Sequence, residues 1–126
     1  MNMKILRTAE KISAILQEIA SPARLVILVS IGDSEACVCH LESVLNKRQA
    51  YISQHLMALR NAGIITSRRD GRFVYYRLAD PALLDLIRSA ARLAAVDIVP
   101  STPTVTCSCP HCSDSKPALI PLSMKT

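Results

Sequence analysis

Apolar side chains recur along the N-terminal segment at the spacing of one helix face: Ala9, Ile12, Ile15, Leu16 and Ile19, with Glu10, Lys11, Gln17 and Glu18 between them. The pattern predicts an amphipathic helix over Thr8 to Ile19. Ser21-Pro22 restarts the chain as an N-cap residue followed by proline at the first helical position. Leu25, Ile27, Leu28 and Ile31 then predict a second, more buried helix, ended by Gly32-Asp33-Ser34. Leu41, Val44 and Leu45 form a short apolar face before the polar break Asn46-Lys47-Arg48. Ile52, Leu56, Leu59 and Ala62 mark one face of the next helix, and Gly63 is its C-terminal stop. Ile64 to Arg69 and Arg72 to Leu78 predict two strands joined at Asp70-Gly71, residues that tolerate the positive φ of a tight hairpin. Two strands alone are marginal, so the hairpin must lean on the helices. After Asp80-Pro81 a last helix carries Leu83, Leu84, Leu86, Ile87, Ala90, Ala91, Leu93 and Ala94 on nearly all sides. That is more apolar surface than one small domain buries at its end, and it implies a homodimer formed through the terminal helices. The expected fold is mainly α with a small β-hairpin (α+β).

From Val99 the chain changes character, with five of its seven prolines, many Ser and Thr, and no helical period. The organisation read from this is a folded unit over residues 1–98 and a Pro/Ser/Cys-rich tail over residues 99–126. A chain of 126 residues holds one core, which excludes a large catalytic architecture. No Ser/His/Asp arrangement, phosphate loop or carboxylate pair suggests an enzyme. The longest apolar stretch, Leu25 to Ile31, is far short of a membrane span and no signal-peptide core is evident. The expected location is therefore cytoplasmic, with no membrane partner.

The net charge of +5 is localised: seven basic residues and one acidic residue lie between Lys47 and Arg77, with all the aromatic side chains, Tyr51, Phe73, Tyr75 and Tyr76. A helix whose N-terminal exposed face carries Gln49, Tyr51, Ser53, Gln54 and His55 has side chains able to reach base edges in a major groove. Arg48, Arg68, Arg69 and Arg72 flank it in the turn and hairpin, where they would meet phosphates or enter a minor groove. The competing reading is a solvated basic face, with His55 bonded to the domain's own backbone.

Five cysteines in a reducing compartment point away from a disulfide framework and toward two ligand clusters, Cys37 with Cys39 and Cys107 with Cys109 and Cys112. On a regular helix residues two apart diverge by about 200°, so Cys37 and Cys39 converge only if the first stands outside the helix. Asp33-Ser34 just upstream supplies cap-type residues for a helix starting there, and such a terminus favours thiolates. The alternative is that both are small buried hydrophobes. The tail cysteines have nothing nearby to bury them, which leaves ligation or redox chemistry. Cys109-Pro110-His111-Cys112 has the form of a disulfide-oxidoreductase motif, but lacks the βαβ context that this chemistry needs.

Four blocks in order carry a family resemblance: Ala20 to Leu28, Gln49 to Leu56, Leu59 to Ile65, and Asp70-Gly71-Arg72 with Tyr75-Tyr76-Arg77-Leu78. Over roughly residues 8 to 96 the chain resembles the ArsR/SmtB family of bacterial metal-sensing repressors. The resemblance implies a homodimeric winged helix-turn-helix that binds double-stranded operator DNA when metal-free and dissociates on binding a thiophilic ion. Cys37-Val38-Cys39 resembles the signature by which the arsenic and cadmium branches bind metal at the start of the helix preceding the recognition helix. The chain departs from those branches in having Glu42 where a third cysteine is typical, and no cysteine in its first 36 residues. It also lacks the zinc-type Asp-x-His pair on the last helix, since Leu86 and Ile87 follow Asp85. The missing ligands are therefore assigned to Cys107, Cys109 and Cys112. Residues 99 to 106 can extend about 26 Å at ~3.3 Å per residue, and a site shared across the dimer is favoured. Soft sulfur ligands favour arsenic(III) or antimony(III), or else cadmium, lead or zinc. A thiol-redox switch or oxidoreductase using the same cysteines is the alternative.

Overall fold

The computed structural model describes residues 2–98; Cys107, Cys109, Cys112 and the rest of the expected tail lie outside the described residues. Helix α1 (Met3–Ile19) starts at Met3 rather than Thr8 because Asn2 caps it, its side-chain oxygen accepting from the Lys4 backbone N–H at 2.9 Å. The chain bends by 87° into α2 (Pro22–Ile31), where Pro22 takes the first turn as expected. No single helix among the described residues is long and apolar enough to cross a membrane.

Asp33 and Ser34 do not cap the next helix. They belong to the turn after α2, and a two-residue strand, β1 (Ala36–Cys37), intervenes. Cys37 is itself the N-cap of α3 (Val38–Leu45), with extended φ/ψ of −91° and 166°. Helix α4 (Gln49–Asn61) ends in a Schellman motif: Ile64 N–H reaches Leu59 C=O, Gly63 N–H reaches Arg60 C=O, and Gly63 supplies the φ of +78°. Strands β2 (Ile65–Asp70) and β3 (Phe73–Leu78) pair antiparallel with Asp70 opposite Phe73. The loop residues are thus Gly71 and Arg72, one position later than the sequence suggests, with Gly71 at φ +63°.

The hairpin expected as two strands is a three-stranded sheet of order β1-β3-β2, in which Ala36 faces Tyr76 and Cys37 faces Tyr75. Helix α5 (Ala82–Leu93) is more one-sided than its sequence implies. It buries Leu84, Ile87 and Ala91, while Leu86 and Leu93 face outward among Asp85, Arg88 and Arg92. One core joins α2, α3, α4, the sheet and α5 through Ile27, Leu28, Leu41, Ile52, Leu59 and Ile87. By contrast α1 buries only Ile19.

Two substitutions test this packing in opposite directions. Leu28 has no exposed surface, so Leu28→Ala should cost about 2–5 kcal/mol in urea unfolding. Ala95 holds φ +58° in the turn after α5, where Val96 N–H reaches Ala91 C=O. Ala95→Gly should raise stability by up to about 1 kcal/mol by relieving that strain.

Candidate nucleic-acid interface and thiol site

The β1–α3 junction decides the geometry of the first cysteine pair. Because Cys37 is in the strand and Cys39 in the first turn of the helix, their side chains converge, with the sulfurs 2.8 Å apart. Cys37 is buried against Tyr75, with Cys39 and Phe73 packed on the same small cluster. Cys39 also borders an open hollow of about 590 Å³ lined by Glu42, Ser43, Asn46, Lys47 and Arg48. Cys37 is a thiol whereas Cys39 is disulfide-bonded, contrary to the expectation that all the cysteines are thiols. Once that bond is reduced, the two sulfurs act together as soft donors to a thiophilic ion, a partial ligand set. Among the described residues no group of three or more His, Cys, Asp and Glu side chains could hold a metal.

Helix α4 buries Ile52, Leu56 and Leu59 and leaves Gln49, Tyr51 and Gln54 exposed, with Ser53 and His55 half-buried. The side chains foreseen as base readers fall into two groups. Gln49 and Gln54 face solvent. Tyr51 and His55 belong to a chain of contacts within the domain: Lys47 Nζ lies 5.3 Å from the Tyr51 ring centre, and Tyr51 meets His55 edge-on at 4.8 Å. Arg24 Nε then donates to His55 Nδ1 at 3.0 Å, while Arg24 also donates to the Glu18 backbone and carboxylate. The partner of His55 is therefore a side chain of α2 rather than the backbone, and it ties the helix start to the α1–α2 corner.

The wing carries Arg68, Arg69 and Arg72, all exposed, and Arg48 is exposed at the N-cap of α4. Arg72 lies over Phe73 and Arg68 over Tyr75, at 5.4 and 4.7 Å. Arg68 also donates to both oxygens of Glu35, at 2.6 and 2.8 Å, and this hydrogen bonding raises its pKa above the ordinary value. Sequence reasoning missed Arg24, Glu35 and Met57. Met57 was within reach, since it is three residues after Gln54 on the same helix face, and it is 65% exposed. Glu35 and Arg24 carry no local signal, because their partners are 33 and 31 residues away.

A short helix, a turn, a partly polar second helix and a basic antiparallel wing define a winged helix-turn-helix protein. The model for "Bacterial regulatory protein, arsR family" matches residues 21–67. The chain is 38% identical over 85 residues to the HTH-type transcriptional repressor SmtB of Mycobacterium tuberculosis, which covers 68% of this chain and 63% of that one. It is 48% identical over 56 residues to the arsenic resistance transcriptional regulator ArsR1 of Pseudomonas putida, covering 44% and 43% of the two chains. Reduced HlyU from Vibrio cholerae superposes with a TM-score of 0.67 at 30% identity, over 73% of this chain and 97% of that one. The chain belongs to the arsR family of bacterial regulatory proteins, and these relatives are regulators rather than enzymes.

The Arg24–His55 bond requires a neutral ring with its proton on Nε2. Partial burial, and then the Arg24 charge, lower the His55 pKa from its ordinary 6.5. Stability linked to this ring is complete above pH 6.5 and falls as the pH drops toward the lower folded value, because the unfolded chain takes up the proton first. An NMR titration should show the His55 midpoint below 6.5, with Arg24→Gln moving it back up. Between about pH 7.5 and 5.5 the wild-type melting temperature should fall more than that of His55→Gln.

Proposed function

We propose that the protein is a homodimeric, metal(loid)-responsive transcriptional repressor that holds double-stranded operator DNA when metal-free and releases it on binding a thiophilic ion. The observation that carries this reading is the 2.8 Å approach of the Cys37 and Cys39 sulfurs at the start of α3, the helix packed on α4. Arsenic(III) or antimony(III) is favoured over cadmium, lead or zinc, a preference supported by the soft sulfur donors and the likeness to an arsenic resistance regulator. Since the described residues supply an incomplete ligand set, the remaining sulfurs are assigned to Cys107, Cys109 and Cys112. Any movement that ligation imposes on Cys37 and Cys39 passes through α3 to α4. A coupling of about 1–3 kcal/mol would change DNA affinity roughly 5- to 150-fold.

Dimerisation is supported by the apolar side chains that the single chain leaves uncovered. Ile5, Ile12, Ile15 and Leu16 on α1 are 43–64% exposed, and Leu86 and Leu93 on α5 add to them. A second copy would bury both helices, so α1 joins α5 in the proposed interface. On DNA, Gln49, Ser53 and Gln54 are assigned to base edges, with Tyr51 and His55 beside them, and Arg48, Arg68, Arg69 and Arg72 to phosphates. A thiol-redox response is the second reading, favoured by the same closeness of the sulfurs. Mass spectrometry without reductant, before and after arsenite, separates the two: a stoichiometric disulfide with no metal affinity supports the redox reading.

The reading helix and wing should respond differently to substitution. In a salt-controlled anisotropy assay Gln54→Ala and Ser53→Ala should each cost about 1–3 kcal/mol of sequence-specific binding. Arg72→Ala should weaken binding to any duplex and lower the salt slope by about one.

The metal response is tested by DNA release during titration with arsenite, cadmium, lead and zinc. Cys37→Ser, Cys39→Ser and a chain ending at Pro103 should still bind DNA and lose most of the response. A shortened chain that responds as well as the full-length protein would remove the tail as a ligand source.

A further inference from the structure

The wing arginines are not equivalent. Among the described residues Arg69 and Arg72 make no ion pair with a carboxylate, whereas Arg68 is held on two sides. Its Nε and one terminal nitrogen meet the two oxygens of Glu35, and its guanidinium carbon lies 4.7 Å from the Tyr75 ring centre. The fork leaves the other terminal nitrogen, Nη1, available, and the Arg68 side chain is 52% exposed while that of Glu35 is 14% exposed. Both anchors adjoin the thiol site. Glu35 immediately precedes β1, and Tyr75 pairs with Cys37 on one side and with Arg68 on the other.

We propose that Glu35 is a positioning residue that presents Arg68 to a phosphate of bound duplex DNA, and that through it the strand carrying Cys37 is joined to the wing. The inference rests on the DNA-binding reading above and adds an output to it: displacement of Cys37 reaches the wing directly, independently of the path through α3 to α4. The sign of the effect separates this role from plain electrostatics. A carboxylate on a DNA-facing surface repels phosphate, so deleting it should tighten binding unless it orders the arginine that makes the contact. Holding a long, rotamer-rich side chain in its bound geometry is the kind of preorganisation that raises affinity without adding a contact.

The test uses the full-length reduced protein, without metal, and a fluorescein-labelled duplex of mixed sequence in an anisotropy assay at two salt concentrations. Glu35→Ala should weaken binding roughly 3- to 10-fold, with Glu35→Gln intermediate because it keeps one acceptor oxygen. Arg68→Ala should weaken binding and reduce the salt slope by about one, and in that background Glu35→Ala should bring no further loss. Should Glu35→Ala fail to fold, as judged by circular dichroism, the Glu35→Gln protein carries the comparison. Unchanged or tighter binding by the folded Glu35 variants, or an equal Glu35→Ala loss with and without Arg68, would overturn the proposal. A wild-type protein that binds no duplex would instead overturn the DNA-binding reading, taking this inference with it.

Discussion

The pairing of Ala36 and Cys37 with the middle strand is the constraint on which the rest of the candidate site depends. Those two residues hold the backbone extended up to the first turn of α3, and the change from strand to helix between Cys37 and Cys39 is what turns two diverging side chains toward each other. Were α3 to begin two residues earlier, the sulfurs would lie on different helix faces. The same pairing adds a third strand to a wing that would otherwise be a marginal hairpin. It also seats Cys37 against Tyr75, whose ring supports Arg68. A single short strand therefore fixes the thiol geometry, stiffens the wing and brings the two into contact.

The start of the recognition helix is held in a comparable way. Ser53 and Gln54 lie between Tyr51 and His55, and those two are engaged with Lys47 and Arg24. Arg24 in turn binds the end of α1. The helix is thus set against the corner where α1 meets α2, in addition to its apolar packing on the core. Because α1 buries little within one chain, its position is the least determined by the monomer. Covering its apolar face with a second copy would also fix the corner that Arg24 grips. In the proposed dimer, subunit association and the orientation of the reading helix would be linked through the contacts of Arg24.

Much of the fold is written in local patterns. The helical periods of α2 and α4, the Pro22 start, the Gly63 stop and the basic wing are each decided within a few residues, so the sequence alone determines them. The convergence condition on Cys37 and Cys39 was legible too, since a two-residue spacing admits it only at a helix start. The early start of α1 was within reach too, since Asn2 is a cap residue and Ile5 continues the apolar spacing of Ala9, Ile12 and Leu16 back toward it. What the sequence could not provide is whatever depends on residues distant along the chain. A two-residue strand has no period to detect, and Ala36–Cys37 is a strand only because Tyr75 and Tyr76 lie alongside it. Apolar residues on α5 looked interchangeable until packing buried Leu84, Ile87 and Ala91 and left Leu86 and Leu93 outside. Glu35 and Arg24 read as ordinary surface charges. Only the tertiary structure gave them Arg68 and His55 as partners, because an ion pair or hydrogen bond across some 30 residues is specified by the placement of whole elements and leaves no trace in the spacing of either side chain.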